Sequence, residues 1–322
     1  NKLLGRNRLG VYYSWGKRLH LIHRDFERRD APLECAIVLG MHPALHMASQ
    51  THLMKDSGGD EYEVAGGLLG EPLEIVPCET VDLEVPAHAE IIIEGRIPPH
   101  GRQTEGPFGE YHRYYGQVVD APEIEVTAIT HRGDAIYQNL GGYVEQVTVT
   151  RIPNEGQLLR ELRKFVPTVR SVHIPLSGVL YHAYIQMEKA NEGDAKNVLM
   201  AAITRGTCIK TAIAVDPDVD IFDENDILWA LSTRVVPDRD IFQVPGARGN
   251  RLDPTTYALT RLERDGMVTK MGIDATVPLG YEDPHPPRAK IPGLEALCLD
   301  DFLAAGSGRA AKETSGATAA GR

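Results

Sequence analysis

Short apolar runs separated by glycine, proline and aspartate recur from Leu9 to about Ile129, and this spacing limits the possible folds more than any other feature. The runs occupy residues 10–13, 19–22, 35–39, 89–93 and 124–129, and a turn at 132–134 leads into a further run at 135–138. Each run has the length of a β-strand. In the run at residues 124–129, the residues alternate with the period of a half-buried strand. Many short strands at even spacing predict a barrel or closed sheet.

The pattern changes near Pro153, where helical and strand-like segments begin to alternate. Asn154 can cap a helix, because Gln157 follows three residues later and apolar residues then recur on one face. Strand signals at residues 183–187 and 211–215 alternate with helical signals at residues 194–203 and 225–234. This alternation predicts an α/β unit with buried strands, and Asp223 is the expected cap of its last helix.

Charge and composition exclude several classes of protein. The net charge is 34 − 45 = −11, whereas a nucleic-acid surface needs clustered lysine and arginine. No run of 18 apolar residues is present, so we expect no membrane span. The four cysteines are scattered without CxxC spacing, which is typical of a reducing compartment, and we therefore expect a cytoplasmic protein.

The two ends of the chain give further expectations. The first residue is Asn1, and no basic start followed by an apolar core indicates a signal peptide, so we expect a processed chain or a fragment. The tail after Phe302 is small, polar and aperiodic, and it cannot bury enough apolar area to offset the entropy of ordering. We expect that tail to be disordered.

The segment Glu105-Gly106-Pro107-Phe108-Gly109-Glu110 is the most informative candidate for chemistry. Its two carboxylates flank a turn that holds the backbone in a close bend. Carboxylates held near one another push their pKa values apart, which suits general acid–base catalysis. Chemistry alone favours a solvated hairpin tip, whereas the central Phe108 and the preceding strand favour a functional turn.

Other candidate residues leave two interpretations open. Glu61, before an apolar stretch, could bind Mg²⁺ or Mn²⁺ through oxygen, although a helix cap or surface acid explains it equally well. His20, His23 and the later histidines match no zinc spacing, and on a strand His20 and His23 would point to opposite faces. Lys210 could bind a phosphate at a sheet end, although an exposed lysine is the commoner case.

Several common sites lack support. The run Asp216-Pro217-Asp218-Val219-Asp220 fails as a calcium loop, because Ile221 and Ile227 stand where glycine and glutamate are needed. The glycine patterns of dinucleotide, P-loop and serine-hydrolase sites are also missing. An ordinary metal hydrolase would need a complete ligand set, and the sequence does not supply one.

Several long motifs, in order, resemble the UbiD family of decarboxylases. They are Asp60-Glu61-Tyr62 with Ala65-Gly66, the run Val85 to Gly95, the Glu105–Glu110 segment, Ala214-Val215-Asp216 through Thr233-Arg234, and Lys270 to Thr276. The resemblance covers the chain from about Gly10 to Thr276. It implies an enzyme that uses prenylated FMN, to which the protein contributes positioning and proton transfer.

The resemblance also implies residue roles. Glu110 would be the acid–base residue, and Glu105 would belong to the same carboxylate–arginine network. Glu61 would help to bind a divalent metal, usually Mn²⁺, with K⁺ possible as a second ion. Lys210 would lie near the flavin phosphate, and Ser49 would line the flavin.

This chain departs from the family pattern in two places. The family's active-site asparagine and arginine belong to a segment upstream of residues 9–14 that we do not find, and Arg6 and Arg8 do not fit the motif. Lys17-Arg18 stands where the family often has a metal-binding histidine, with His20 slightly displaced. We therefore expect a chain cut at its N-terminus.

The expected fold class is α+β / α/β. Residues 1–152 would form the remainder of a flavin-binding split β-barrel, residues 153–168 a linker helix, residues 169–280 an α/β oligomerisation domain, and residues 281–322 a C-terminal extension. The expected function is reversible, non-oxidative decarboxylation of a small aromatic or α,β-unsaturated acid by a homodimer or higher homo-oligomer, with a flavin prenyltransferase supplying the cofactor. The rival interpretation is a non-catalytic UbiD-like subunit, and neither substrate nor direction can be read from the sequence.

Overall fold

The computed structural model describes residues 2–13, 18–51, 60–205, 208–256, 266–280, 286, 288–289, 291–298, 300 and 302. Asn1–Leu279 form one compact unit and Gly280–Arg322 a second. In the described part of the second unit a 3₁₀ turn spans Leu294–Ala296, and the tail expected to be disordered lies outside the described residues. Within the described ranges, no helix has the length and apolar character needed to cross a membrane.

The first half of the chain forms an open antiparallel sheet and two small ribbons. Its strands are β1 (Leu3–Gly5), β2 (Arg8–Gly10), β3 (Leu33–Leu39), β4 (Ile75–Pro77), β5 (Glu84–Pro86), β6 (Ile91–Ile97), β7 (Gln103–Glu105), β8 (Val119–Ala121) and β9 (Glu123–His131). The sheet order is β1-β2-β9-β6-β3, and β4-β5 and β7-β8 are separate ribbons. The prediction of a closed sheet is wrong for the described residues, because β1 and β3 are its two edges and do not pair with each other.

Helices also interrupt the first half, where the sequence predicted mainly strands. They are α1 (Arg18–Arg28), α2 (Pro43–Ser49) and α3 (Glu61–Leu69). The strand predicted at residues 19–22 is therefore wrong. His20 and His23 are buried on one face of α1 at helical spacing, whereas Leu19 and Leu21, which suggested a strand, are exposed.

Helix α4 (Val144–Phe165) leads from the first sheet to the second. It begins well before the predicted cap at Asn154, so that prediction is wrong. Pro153 lies inside the helix, and Asn154 donates a hydrogen bond to the Thr150 carbonyl oxygen at 2.6 Å instead of capping an end. Tertiary packing overrides the local proline signal here, because Val147 and Leu158 from either side of it are both fully buried.

The strand predicted at residues 135–138 is also wrong. This stretch has irregular backbone, and the amide of Ile136 donates to the Glu90 carboxylate at 3.0 Å rather than to a neighbouring strand. The predictions for residues 35–39 and 124–129 are confirmed by β3 and β9, whose buried and exposed positions alternate along much of β9.

The second half is a mixed five-stranded sheet with helices on both faces. Its elements are β10 (Val169–His173), β11 (His182–Met187), α5 (Asp194–Arg205), β12 (Thr211–Val215), α6 (Glu224–Arg234), α7 (Pro237–Asp240), β13 (Ile241–Arg248) and β14 (Met267–Ala275). The order is β10-β11-β12-β14-β13, with the central three strands parallel and both edges antiparallel. The predicted α/β unit is confirmed, and Asp223 caps α6 by accepting a hydrogen bond from the Asn225 amide.

The main cores lie on the two faces of this second sheet. On one face, Leu158 and Leu162 of α4 and Leu199 of α5 pack against the strands. On the other face, Ile227 of α6 packs against Val215 at the end of β12. Strands buried on both faces read as nearly continuous apolar runs, which explains why the sequence predicted β12 correctly.

Candidate active site

The segment that joins β7 to β8 folds into a tight hairpin that carries Glu110. The Glu110 amide donates to the Tyr114 carbonyl oxygen at 3.0 Å, and the Gly116 amide donates to the Phe108 carbonyl oxygen at 2.8 Å. Gly106 has φ +83°, in the region that glycine adopts without strain. The hydrogen-bonded turn therefore lies at residues 110–114, after the Gly106–Gly109 stretch where the sequence predicted a close bend, and it forms a hairpin (residues 108–116) that extends from the β7-β8 ribbon.

A cleft beside this hairpin brings both predicted glutamates together. Its walls are formed by Tyr12, Glu105, Gly106, Phe108, Glu110, Gln117, Val119, Arg251 and Leu252. Most of these residues come from the first half of the chain, but Arg251 and Leu252 belong to the loop that follows β13. The cleft therefore combines two acids, a phenol and a guanidinium from distant parts of the sequence.

Glu105 is the buried acid of the pair, with 1% of its surface exposed. Its Oε1 accepts a hydrogen bond from the Lys2 amide at 3.0 Å. Its Oε2 lies against Gly10 of β2, only 1.8 Å from where a β-carbon on that residue would stand. Gly10 therefore leaves the space that the Glu105 carboxylate occupies.

Glu110 is half-buried, and burial raises the pKa of its carboxyl. The sequence predicted a raised pKa in one acid of the pair, but through repulsion between the two. Here the cause is the loss of hydration, which disfavours the charged form. A carboxyl of this kind keeps its proton to higher pH than an ordinary glutamate, as a general acid must.

Tyr12 and Arg251 complete the electrostatics of the cleft. Burial, followed by the negative charge of Glu110, raises the pKa of the Tyr12 phenol, and Arg251 acts in the opposite direction. Sequence reasoning missed both residues. The only available signal for Tyr12 was its position at the end of a predicted strand, and Arg251 had none.

Glu61, the predicted metal ligand, lies elsewhere, at the start of α3. Asp60 caps this helix by accepting from the Glu63 amide, and Oε2 of Glu61 is 3.4 Å from Nη1 of Arg18. Among the described residues, no group of three histidine, cysteine, aspartate or glutamate side chains could hold a metal ion. Lys17, at the position of the family's metal-binding histidine, and His52, one of the later histidines, lie outside the described residues.

Lys210 and Ser49, the predicted flavin-binding residues, already have protein partners. The ammonium of Lys210 lies 2.8 Å from the buried carboxylate of Asp253 and donates to the Thr255 hydroxyl at 2.9 Å. Ser49, exposed at the end of α2, donates to the His46 carbonyl oxygen at 2.8 Å. Neither residue lines the Glu110 cleft.

Comparison with known proteins identifies both halves of the chain. Residues 2–144 match the 3-octaprenyl-4-hydroxybenzoate carboxy-lyase Rift-related domain, and residues 147–275 match the C-terminal domain of the same carboxy-lyase family. The anhydromevalonate phosphate decarboxylase of Methanothermobacter thermautotrophicus is 40% identical over 86% of this chain and 64% of its own length. The gallate decarboxylase of Lactiplantibacillus plantarum is 31% identical over 86% of this chain and 61% of its own length.

Solved structures agree with these matches. The UbiD-class enzyme HmfF from Pelotomaculum thermopropionicum, in complex with FMN, has a TM-score of 0.86 and 44% identity over 94% of this chain and 66% of its own. An evolved dimeric form of HmfF, in complex with prFMN, has a TM-score of 0.79 and 40% identity over 94% of this chain and 64% of its own. The chain thus spans a little under two thirds of the length of these relatives. By sequence and by fold, it belongs to the UbiD family of carboxy-lyases.

Proposed function

We propose that this protein is a reversible, non-oxidative decarboxylase of a small aromatic or α,β-unsaturated carboxylic acid, with Glu110 as the acid–base residue. Support comes from membership of a carboxy-lyase family and from relatives named as decarboxylases. The observation that carries the proposal is the half-buried Glu110, whose pKa is raised, in one cleft with the buried Glu105.

The proposed cofactor is prenylated FMN, and the residues of the cleft supply an acid for the proton transfer in its chemistry. When bound, the prenylated flavin would supply an electrophile that takes up the unsaturated carbon of the substrate and stabilises the charge left by departing CO₂. Glu110, whose protonated form is favoured by burial, would deliver a proton to that carbon. Tyr12 and Phe108 would give the cleft aromatic walls, and Arg251 would balance the charge of the two acids.

The described residues give less support to the proposed Mn²⁺ and K⁺ sites and to the proposed phosphate site. Glu61 is beside Arg18, and the described residues offer no set of three histidine, cysteine, aspartate or glutamate ligands for Mn²⁺ or K⁺. Lys210 would have to exchange its contact with Asp253 to reach a phosphate. A homo-oligomeric state, a cytoplasmic location and supply of the cofactor by a flavin prenyltransferase are further parts of the proposal.

The substitution Glu110→Gln tests the proposed acid. It keeps the shape of the side chain and removes the transferable proton, so we expect decarboxylation to fall by about 10²- to 10⁴-fold. The measurement is CO₂ release by protein made from the complete gene in cells that produce prenylated FMN. Glu125→Gln, at an exposed position on β9, is the matched control and should retain activity. Retained activity in Glu110→Gln would refute the role.

A second candidate function is that of a non-catalytic UbiD-like subunit. The contacts of Glu61 with Arg18 and of Lys210 with Asp253 favour it, because they occupy two residues assigned to the cofactor. The absorbance spectrum and mass of the cofactor that copurifies from the same cells separate the two candidates. Stoichiometric prenylated flavin supports the enzyme, and its absence supports the subunit.

A further inference from the structure

We propose that Asn250 is a positioning residue, which fixes the Glu110 hairpin and the Arg251–Leu252 loop in one arrangement. This inference rests on the proposed role of Glu110 and extends it to a residue in the second half of the chain. It concerns a side chain that does not itself line the cleft.

Asn250 has one hydrogen-bonding partner in the hairpin and another in its own loop. Its Nδ2 donates to the Tyr111 hydroxyl at 2.7 Å and contacts the Cys208 sulfur at 3.3 Å. Its Oδ1 accepts from the Leu252 amide at 3.0 Å. A single amide group therefore links the residue that follows Glu110 to the loop that carries Arg251 and Leu252.

Tyr111 transmits this contact to Glu110, its neighbour in the chain. Tyr111 is 4% exposed, and its hydroxyl also donates to the Tyr181 hydroxyl at 3.2 Å. The backbone on the other side of Glu110 is held by the hairpin hydrogen bonds to Phe108 and Tyr114. Tyr111 is thus held by its hydrogen bonds with Asn250 and Tyr181 as well as by its burial in the core.

The loop that carries Asn250 is itself firmly anchored. The Asp253 carboxylate, with its side chain 2% exposed, pairs with Lys210 at 2.8 Å and accepts from the Thr255 amide at 2.9 Å. The ammonium of Lys210 also lies 5.4 Å from the centre of the Tyr181 ring. Lys210 therefore acts here within the same network that positions Tyr111.

Loss of the Asn250 contact should change the environment of Glu110. A loosened hairpin admits water to a carboxyl whose burial now disfavours its charge, so its pKa should move down towards the ordinary glutamate value. The protonated, proton-delivering form would then be lost at lower pH. A purely structural role for Asn250 would lower the melting temperature without moving this titration.

The test compares Asn250→Ala and Tyr111→Phe with wild type. Tyr111→Phe is the milder variant, because it keeps the buried ring and removes only the hydroxyl. Asn154→Ala is the matched control, since it removes an asparagine hydrogen bond of 2.6 Å within α4, away from the cleft. All four proteins are produced from the complete gene with prenylated FMN.

Three readouts are measured on each protein. Amide hydrogen exchange reports on the Glu110 and Gly116 amides, which should exchange about 10-fold faster in both variants while the β12 amides do not change. NMR titration of the Glu110 carboxyl carbon, assigned with Glu110→Gln, should give a lower midpoint. The kcat for decarboxylation should fall by about 10- to 100-fold with a smaller change in KM.

Each outcome decides one question. Unchanged exchange at the hairpin, or faster exchange with an unchanged Glu110 titration and kcat, overturns the positioning role. A wild-type protein that releases no CO₂ from any acid overturns the proposed function instead. Exchange and the Glu110 titration still decide in that case whether Asn250 positions the hairpin.

Discussion

Gly10 is important to the candidate site because it has no β-carbon. It ends β2, and the Glu105 carboxylate fills the space where any other residue would place a β-carbon. Nothing in the sequence distinguishes this glycine from those that end other strands, because the requirement comes from a residue almost a hundred positions away. Its role is visible only when β2 and β7 are seen side by side.

The substitution Gly10→Ala should therefore displace Glu105. The new methyl group would stand 1.8 Å from Oε2 of Glu105, well inside van der Waals contact, and the buried carboxylate has little room to move. We expect a loss of about 1–3 kcal/mol in the free energy of unfolding, together with loss of CO₂ release. Urea titration and the decarboxylase assay measure the two effects.

Gly5→Ala is the control for this substitution. Gly5 lies in the neighbouring strand β1, and a β-carbon there would meet no atom within 4 Å. Equal unfolding free energies for the two variants would contradict the crowding argument.

Single residues of the site were predictable to different degrees. Glu105 and Glu110 were identified because they flank a turn with a distinctive composition, and the structure places both in one cleft. The cause of the raised pKa of Glu110 was not predictable, since burial depends on packing rather than on neighbours in sequence. Arg251 was missed for a similar reason, because it reaches the cleft only through the fold.

At the scale of elements, local sequence patterns predicted secondary structure correctly where their apolar residues are buried. They gave the wrong element or the wrong boundary where tertiary packing overrides the local preference. Strand β12 was predicted correctly because both its faces are buried. The segment at residues 19–22 was misread because its apolar residues face solvent in α1, while two histidines face the interior. The predicted start of α4, near Asn154, lies ten residues after its first residue, Val144. Pro153 was taken as a helix boundary, although the helix continues on both sides of this proline.

The contribution of the predicted Asp223 cap to the stability of α6 can be measured. Asp223 accepts hydrogen bonds from the amide and the side chain of Asn225, which satisfies a backbone donor that the helix leaves unpaired. We expect Asp223→Ala to lower the free energy of unfolding by about 1 kcal/mol, measured in urea. Asp223→Ser keeps an acceptor oxygen and should lose much less, and equal losses in the two variants would argue against capping.

At the scale of the whole molecule, the cleft depends on both halves of the chain. Glu105 and Glu110 come from a ribbon beside the first sheet, and Arg251 and Asn250 come from a loop of the second. The family models meet between residues 144 and 147, close to the start of α4. The division into separate domains stays a prediction, because residues 1–279 form one compact unit.

The proposed homo-oligomer can be tested at two exposed apolar residues of the second half. Phe222 and Leu228, in and just before α6, are 65% and 61% exposed, and apolar groups of this size are common where subunits meet. We expect Leu228→Asp to shift the protein towards a lower mass in light scattering, because a charge on that face would have to be desolvated on association. Leu68→Asp, at a leucine of α3 that is 54% exposed in the first half, is the control and should not change the mass. A wild-type protein that is already monomeric, or an unchanged mass for Leu228→Asp, would rule out this face as the contact.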